Sequence, residues 1–143
     1  EGHYVLPTVA IVEPPQSHEI AVSPTIYQQR LEADVHLRVT YLAGQMWGAS
    51  IRCLDQSVVD WRLEPEERLV YDSAILTEDL QTSICSLMDD LDLVYGALDL
   101  IQTGEGEVYF LEVNPGGQWS WLEHHLEVDI TGSIVDCLLG ATA

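Results

Sequence analysis

Residues 95–121 read YGALDLIQTGEGEVYFLEVNPGGQWSW, and the fold follows from how this stretch pairs with itself. Gly96–Gln102 and Glu107–Asn114 are rich in branched and aromatic residues, and Thr103-Gly104-Glu105-Gly106 between them supplies two glycines for a turn. The pattern predicts a β-hairpin. A loop of two or of four residues gives the same register, with Asp99 opposite Phe110. Side chains alternate along a strand, so Asp99, Phe110, Glu112 and Asn114 are expected on one face. Glu112 then lies diagonal to Asp99, at roughly 7–8 Å between backbones.

Two carboxylates and one amide oxygen thus converge, and no basic residue lies anywhere in the stretch. On an apolar strand pair the carboxylates repel unless a cation sits between them or one takes up a proton. All-oxygen ligation selects a hard cation, Mg²⁺ or Mn²⁺. Spacing alone leaves a second reading open, a solvated hairpin whose polar face carries Asp99, Glu112 and Asn114.

The wording of the stretch is more specific. Asp99 within GALDL, followed by FLEVNPGGQW, resembles the metal-binding end of the ATP-grasp ligases, and most resembles the maturases that make microviridin-type (graspetide) macrocycles. In those enzymes the asparagine is followed by Pro-x-Gly-Gln-Trp and a second aromatic. Pro115, Gly117, Gln118, Trp119 and Trp121 match that tail.

Composition bounds the rest. The chain has 143 residues, 47% of them hydrophobic, enough for one domain with a core and too few for two ordinary ones. No apolar run approaches roughly 18 residues and no basic-then-apolar leader is seen, so neither a membrane span nor a signal peptide is expected and the expectation is a cytoplasmic chain. Twenty-four acidic residues face five basic ones, all arginine, for a net charge of −19. Such a field repels nucleic acid and anionic membrane, and it repels ATP as well. A nucleotide site here must rely on Mg²⁺ and a few placed arginines. Cys53, Cys85 and Cys137 are widely spaced, with no C-x-x-C pair, and are expected to be buried free thiols.

In chain order, Tyr4–Val12 reads as a β-like run and Glu13–His18 as a proline-broken loop. Asp34–Leu42 alternates, with Val35, Leu37, Val39 and Tyr41 on one face and His36, Arg38 and Thr40 on the other. Ala43-Gly44 marks a tight turn into a strand over Gln45–Cys53. Leu54–Ser73 lacks a sustained period and is expected to be a long loop. Thr77 is an N-cap for a helix over about 77–93, with Leu80, Ile84, Leu87, Met88 and Leu91 as its apolar stripe. A last helix is expected over about 130–139, ended by Gly140. Glu123-His124-His125 has the wrong spacing for tetrahedral zinc.

The resemblance implies further roles. In related ligases a Gln-Glu-aromatic strand forms the hinge that meets adenine. The corresponding residues here are Gln28 and Gln29, with Gln29 standing where the glutamate usually is. His36 stands where a ribose-contacting carboxylate would be, two places before Arg38. Arg62, within Asp60-Trp61-Arg62, matches an arginine that contacts the transferred phosphate, with Arg38 as a second stabiliser of phosphate charge. Asp99, Glu112 and Asn114 would hold Mg²⁺ (or Mn²⁺), with ATP as cosubstrate.

The implied fold is an α+β lobe, the C-terminal part of an ATP-grasp enzyme, with a mainly antiparallel sheet flanked by helices over residues 1–143. The implied reaction transfers the ATP γ-phosphate to a side-chain carboxylate of a ribosomal precursor peptide, and a hydroxyl or amine of that peptide then closes an ester or amide ring. The family's N-terminal domain, and the central subdomain with its phosphate-binding lysine and glycine-rich loop, have no counterpart in these residues, which hold no lysine. The expectation is therefore an incomplete fold, inactive alone, with a separate chain supplying the other half and a homodimer left open. The alternatives are a non-catalytic remnant or binding module, and another ATP-grasp carboxylate-amine ligase.

Overall fold

The computed structural model describes residues 29–55 and 60–140. Gln28 and the Tyr4–Val12 run lie outside them. Five strands form one sheet: β1 (Val35–Leu42), β2 (Gln45–Cys53), β3 (Leu69–Ser73), β4 (Tyr95–Gln102) and β5 (Val108–Asn114), in the order β3-β2-β1-β4-β5. Every neighbouring pair is antiparallel. Among the described residues three helices accompany it, α1 (Glu78–Asp90), α2 (Ser120–Leu126) and α3 (Ile130–Leu139). The α+β class and antiparallel sheet are as expected.

Alternation along β1 decides which side chains go where. Leu37, Val39 and Tyr41 pack with Leu98 and Leu100 of β4 and with Ile84 and Met88 of α1. Full burial of each such side chain contributes about 1.5–3 kcal/mol. Helix α1 is held at its start by Thr77, whose hydroxyl accepts from the Leu80 N–H at 3.3 Å, with Glu78 and Asp79 in the first turn against the dipole. On the other sheet face, Ala49 packs against Leu122 of α2 and Ile130 of α3, flanked by Trp47, Trp119 and Trp121. Helix α3 is capped by the Asp129 carboxylate, which accepts from the Gly132 N–H at 2.7 Å, and ends on Gly140 at φ 68°.

The β1–β2 turn has Ala43 at φ 47° and Gly44 at φ 91°. Positive φ at both positions matches the twist of the flanking strands. Leu54–Ser73 departs from expectation. It contains two single-turn 3-10 helices, Trp61–Leu63 and Glu66–Arg68, and then strand β3, which pairs with β2. Leu69–Asp72 alternate between half-buried and exposed, a run too short to stand out after the charged Glu64–Arg68 segment; pairing with β2 and contact with α2 make the strand.

The β4–β5 register also differs. Gly106 takes φ 87° and the Thr103 N–H reaches the Glu107 carbonyl at 2.9 Å, so the loop is odd-numbered and Phe110 stands opposite Leu100, not Asp99. An irregularity beyond Leu100 then restores the alternation, placing Glu112 directly opposite Asp99 and Asn114 opposite Ala97. One slip flips a strand's faces and the bulge flips them back. Asp99 and Glu112 share a face as expected, and Phe110 leaves it.

The cysteines are free, but none is buried: Cys53 and Cys85 are half-buried and Cys137 is exposed on α3. Among the described residues no helix is long and apolar enough to cross a membrane.

Candidate functional site

Across the sheet, Ser73, Ala49, Arg38, Asp99 and Glu112 form one row, each directly opposite the next. Ala49 lies on the half of the face that α2 and α3 cover, and Ser73 is exposed at its edge. The last three form a charged cluster. Asp99 is buried, and both its oxygens are taken: Oδ1 accepts from Arg38 Nη1 at 2.7 Å and Oδ2 from Arg62 Nη2 at 2.6 Å. Arg62 Nη2 is also 3.9 Å from Glu112 Oε1. The cation expected between the two carboxylates has a counterpart in the Arg62 guanidinium, and Arg38 adds a second positive charge on Asp99.

Arg62 comes from a turn that local chemistry shapes. The Asp60 carboxylate accepts from the Arg62 backbone N–H at 3.2 Å, capping the Trp61–Leu63 turn. The guanidinium carbon stands 5.2 Å from the Trp61 ring centroid. Trp61 leans on Trp121 at 6.2 Å, Trp121 on Tyr71 at 5.6 Å, and Tyr71 stacks on His125 at 4.1 Å. Glu66 lies 3.5 Å from His125. Helix α2, strand β3 and both 3-10 turns are thereby tied into one unit that aims Arg62 at Asp99. Asp60, Trp61, Tyr71 and Trp121 join the site through these contacts; of the four, only Asp60, two residues before Arg62, carries a local sequence signal, since such a carboxylate caps a turn.

The loop after β5 is fixed from below. Asn114 Oδ1 accepts from the Gly116 N–H at 2.9 Å, the Tyr95 hydroxyl donates to the Gly117 carbonyl, and Trp119 meets Tyr95 edge-on at 5.7 Å. Arg38 Nη2 reaches the Gln118 carbonyl at 3.5 Å. Gly117 has no room for a side chain, because a Cβ there would lie 2.3 Å from that of Ala97.

The electrostatics follow. A hydrogen bond shared with Asp99, partial burial and the Asp99 charge push the Glu112 carboxyl above its ordinary value, against the pull of Arg62 and Arg38. Burial, with Arg62 adding to it, lowers His36, which Asp60 and Asp99 only partly offset. The imidazole is therefore neutral at neutral pH.

Of the expected site residues, Arg38, Arg62, Asp99 and Glu112 come together, and His36 stands on the same sheet face within reach of the charges of Arg62, Asp60 and Asp99. Asn114 sits one pair further along, opposite Ala97. Gln29 lies on an exposed irregular segment before β1. Among the described residues no three His, Cys, Asp or Glu side chains form a metal-sized group. The candidate set is two carboxylates and an amide oxygen, each with acceptor capacity beyond the bonds described. Their type fits a hard cation, and the crowding that raises Glu112 is what a cation would relieve.

No protein-family model matches the chain, and no curated protein does. Solved structures do. Macrocyclase MdnC from Microcystis aeruginosa MRC, bound with precursor peptide MdnA, is 29% identical with a TM-score of 0.65, over 78% of this chain and 35% of that one. Macrocyclase MdnB from the same source is 28% identical at a TM-score of 0.67, over 90% and 46%. A Chryseobacterium gregarium RiPP-associated ATP-grasp ligase, in complex with ADP and a leader and core peptide, is 28% identical at 0.73, over 81% and 36%. The chain spans less than half the length of each. The likeness to ATP-grasp peptide maturases read from Gly96–Trp121 is matched by these neighbours.

Proposed function

We propose that this chain is the C-terminal lobe of an ATP- and Mg²⁺-dependent peptide ligase, a maturase that activates a side-chain carboxylate of a ribosomal precursor peptide as its acyl phosphate and closes an ester or amide ring. The observation that carries this reading is the row Arg38–Asp99–Glu112 with Arg62 laid across its end. Oxygen donors for a divalent ion and guanidinium donors for phosphate oxygens stand side by side there, as phosphoryl transfer requires.

Mg²⁺ held by Asp99, Glu112 and Asn114 would neutralise charge on the nucleotide phosphates. The chain's own residues do the rest. Arg38, nearly buried, orients Asp99 and steadies the loop at Gln118. Arg62 is far more exposed, so its guanidinium fork faces the side from which phosphate oxygens arrive. His36, held neutral, offers hydrogen bonding without charge on the nucleotide side, and the adenine role proposed for Gln28 and Gln29 rests on the family resemblance.

These 143 residues hold no lysine, and one lobe by itself cannot exclude water or hold a γ-phosphate in line with a carboxylate. The isolated chain should bind Mg²⁺ weakly, bind ATP barely and ligate nothing. The test is calorimetric titration with ATP and Mg²⁺, then phosphate release with an acidic precursor peptide, before and after adding a chain that carries the missing half. Turnover by the 143 residues alone would sink this account.

One observation favours a second reading, a non-catalytic remnant that keeps the fold. Each Asp99 oxygen already accepts one hydrogen bond from an arginine, so a guanidinium stands where a metal ion would be. Addition of the missing half without any phosphate release would decide for it.

A further inference from the structure

Strand β5, which carries Glu112, has one side with no neighbouring strand among the described residues, because it ends the sheet. Val108, Tyr109, Phe110 and Leu111 are 37, 38, 49 and 45% exposed, four consecutive apolar side chains on a chain of net charge −19. Edge strands present unpaired N–H and C=O groups, and proteins usually blunt them with charge or proline. Here the middle of the strand has neither. Pro115 comes only after its end, and the bulge beyond Leu100 disturbs the inner side, toward β4.

Carboxylates bracket this run, Glu105 and Glu107 before it and Glu112 after it. That pattern argues against a second copy of the chain. A two-fold pairing is antiparallel, and the register that best covers the run sets Val108 against Leu111 and Tyr109 against Phe110. Glu107 then meets Glu112 at both ends, and like charges directly opposed destabilise a strand pair. The occupant that fits is apolar in the centre and positive at its ends.

We propose that the free edge of β5 takes an extended segment of a partner peptide as a sixth strand, the segment being apolar at its centre and carrying lysine or arginine at both ends. Main-chain hydrogen bonds to an edge supply affinity in this mode, and flanking side chains supply selectivity. Since Glu112 and Asn114 continue the same strand, a segment seated here lies beside the Asp99 cluster. The inference needs no nucleotide and no metal, so it stands or falls separately from the ligase reading.

The test uses a fluorescent peptide of alternating valine and threonine with a lysine at each end, titrated by anisotropy at low ionic strength. It should bind saturably and slow amide exchange across Val108–Asn114. Its glutamate-ended counterpart should bind at least about tenfold more weakly, and a version N-methylated at alternate amides should not bind. Phe110→Lys should weaken binding about tenfold with its melting temperature retained. Absence of saturable binding, equal binding of the N-methylated peptide, or indifference to a folded Phe110→Lys would overturn the proposal. So would a dimer in sedimentation with β5 amides already protected, which would give the edge to a second copy. The N-methylated peptide decides the matter even where the variant does not fold.

Discussion

Asp99 and Glu112 face one another across β4 and β5, and one guanidinium, that of Arg62, lies 2.6 Å from the first and 3.9 Å from the second. One cation serving two unequal carboxylates leaves Glu112 the poorer partner. The hydrogen bond it shares with Asp99, with partial burial and the Asp99 charge, raises its proton affinity against that weak pull, and a pH dependence follows.

Because the folded chain holds a proton on Glu112 more tightly than the unfolded chain does, Glu112's contribution to stability is fully present below the ordinary glutamate value of 4.5 and is lost as pH rises through the raised value. Glu112→Gln cannot ionise and keeps that contribution. The variant should therefore melt higher than the wild type, by a margin that opens as pH rises above 4.5 and levels off above the raised value. Melting curves between about pH 4 and pH 7 measure it, and a margin that stays constant over the range would count against this account.

The two arginines on Asp99 are not equivalent. Arg38 is 12% exposed and Arg62 is 44% exposed. Removing a charge from a buried pair strands its partner, at a cost of about 3–5 kcal/mol, whereas a pair screened by solvent on its arginine side, as Arg62–Asp99 is, lies closer to the about 0–1 kcal/mol of surface pairs. Arg38→Met should lie near the lower end of the first range, since Arg62 still holds the other oxygen, and Arg62→Met should cost about 1 kcal/mol or less. Urea unfolding distinguishes them. Equal losses would show that both guanidinium groups are solvated alike.

What could be read in advance was local. The alternation in β1, the Ala43-Gly44 turn, the Thr77 cap with its Ile84 and Met88 stripe, and the end of α3 at Gly140 are all decided within a few residues. What could not be read is decided by partners far along the chain. Asp99 meets Arg38 from 61 residues away and Arg62 from 37, so a stretch without basic residues gave no hint of two. Helix α2 is seven residues long and its N-cap makes no side-chain bond; what holds it is Leu122 in the core and His125 on Tyr71. The shared face of Asp99 and Glu112 was reached through a register one residue off, and an unforeseen bulge cancelled the error.

Gly117 allows a compact test of how the loop is seated. A methyl group there would press on the Ala97 side chain and on Arg38 Nη2, 3.2 Å away. Overpacking of this kind costs about 1–3 kcal/mol, so Gly117→Ala should lower the melting temperature by several degrees. Ala97→Gly removes the atom it meets. The double variant should be more stable than additivity of the two single losses allows, with a coupling of about 1 kcal/mol. Strict additivity would show that the loop gives way elsewhere and does not rest on Ala97.

Divalent ions offer the sharpest test of the oxygen cluster, because two effects of salt can be separated. At a net charge of −19 any electrolyte stabilises the fold by screening its self-repulsion. Mg²⁺ bound by Asp99, Glu112 and Asn114 adds a second term, about 1.4 kcal/mol at ten times its dissociation constant, and should raise the melting temperature by several degrees beyond NaCl of the same ionic strength. That term needs Glu112 ionised, the state the apo protein resists. Wild type and Glu112→Gln should therefore respond in opposite order near neutral pH: the variant melts higher in chelator, and the wild type gains more from Mg²⁺. Asp99→Asn should abolish the Mg²⁺ increment while leaving the NaCl increment intact. If Mg²⁺ and NaCl shift all three proteins equally at matched ionic strength, no divalent site is populated at these residues, and Arg38 and Arg62 alone account for the cluster.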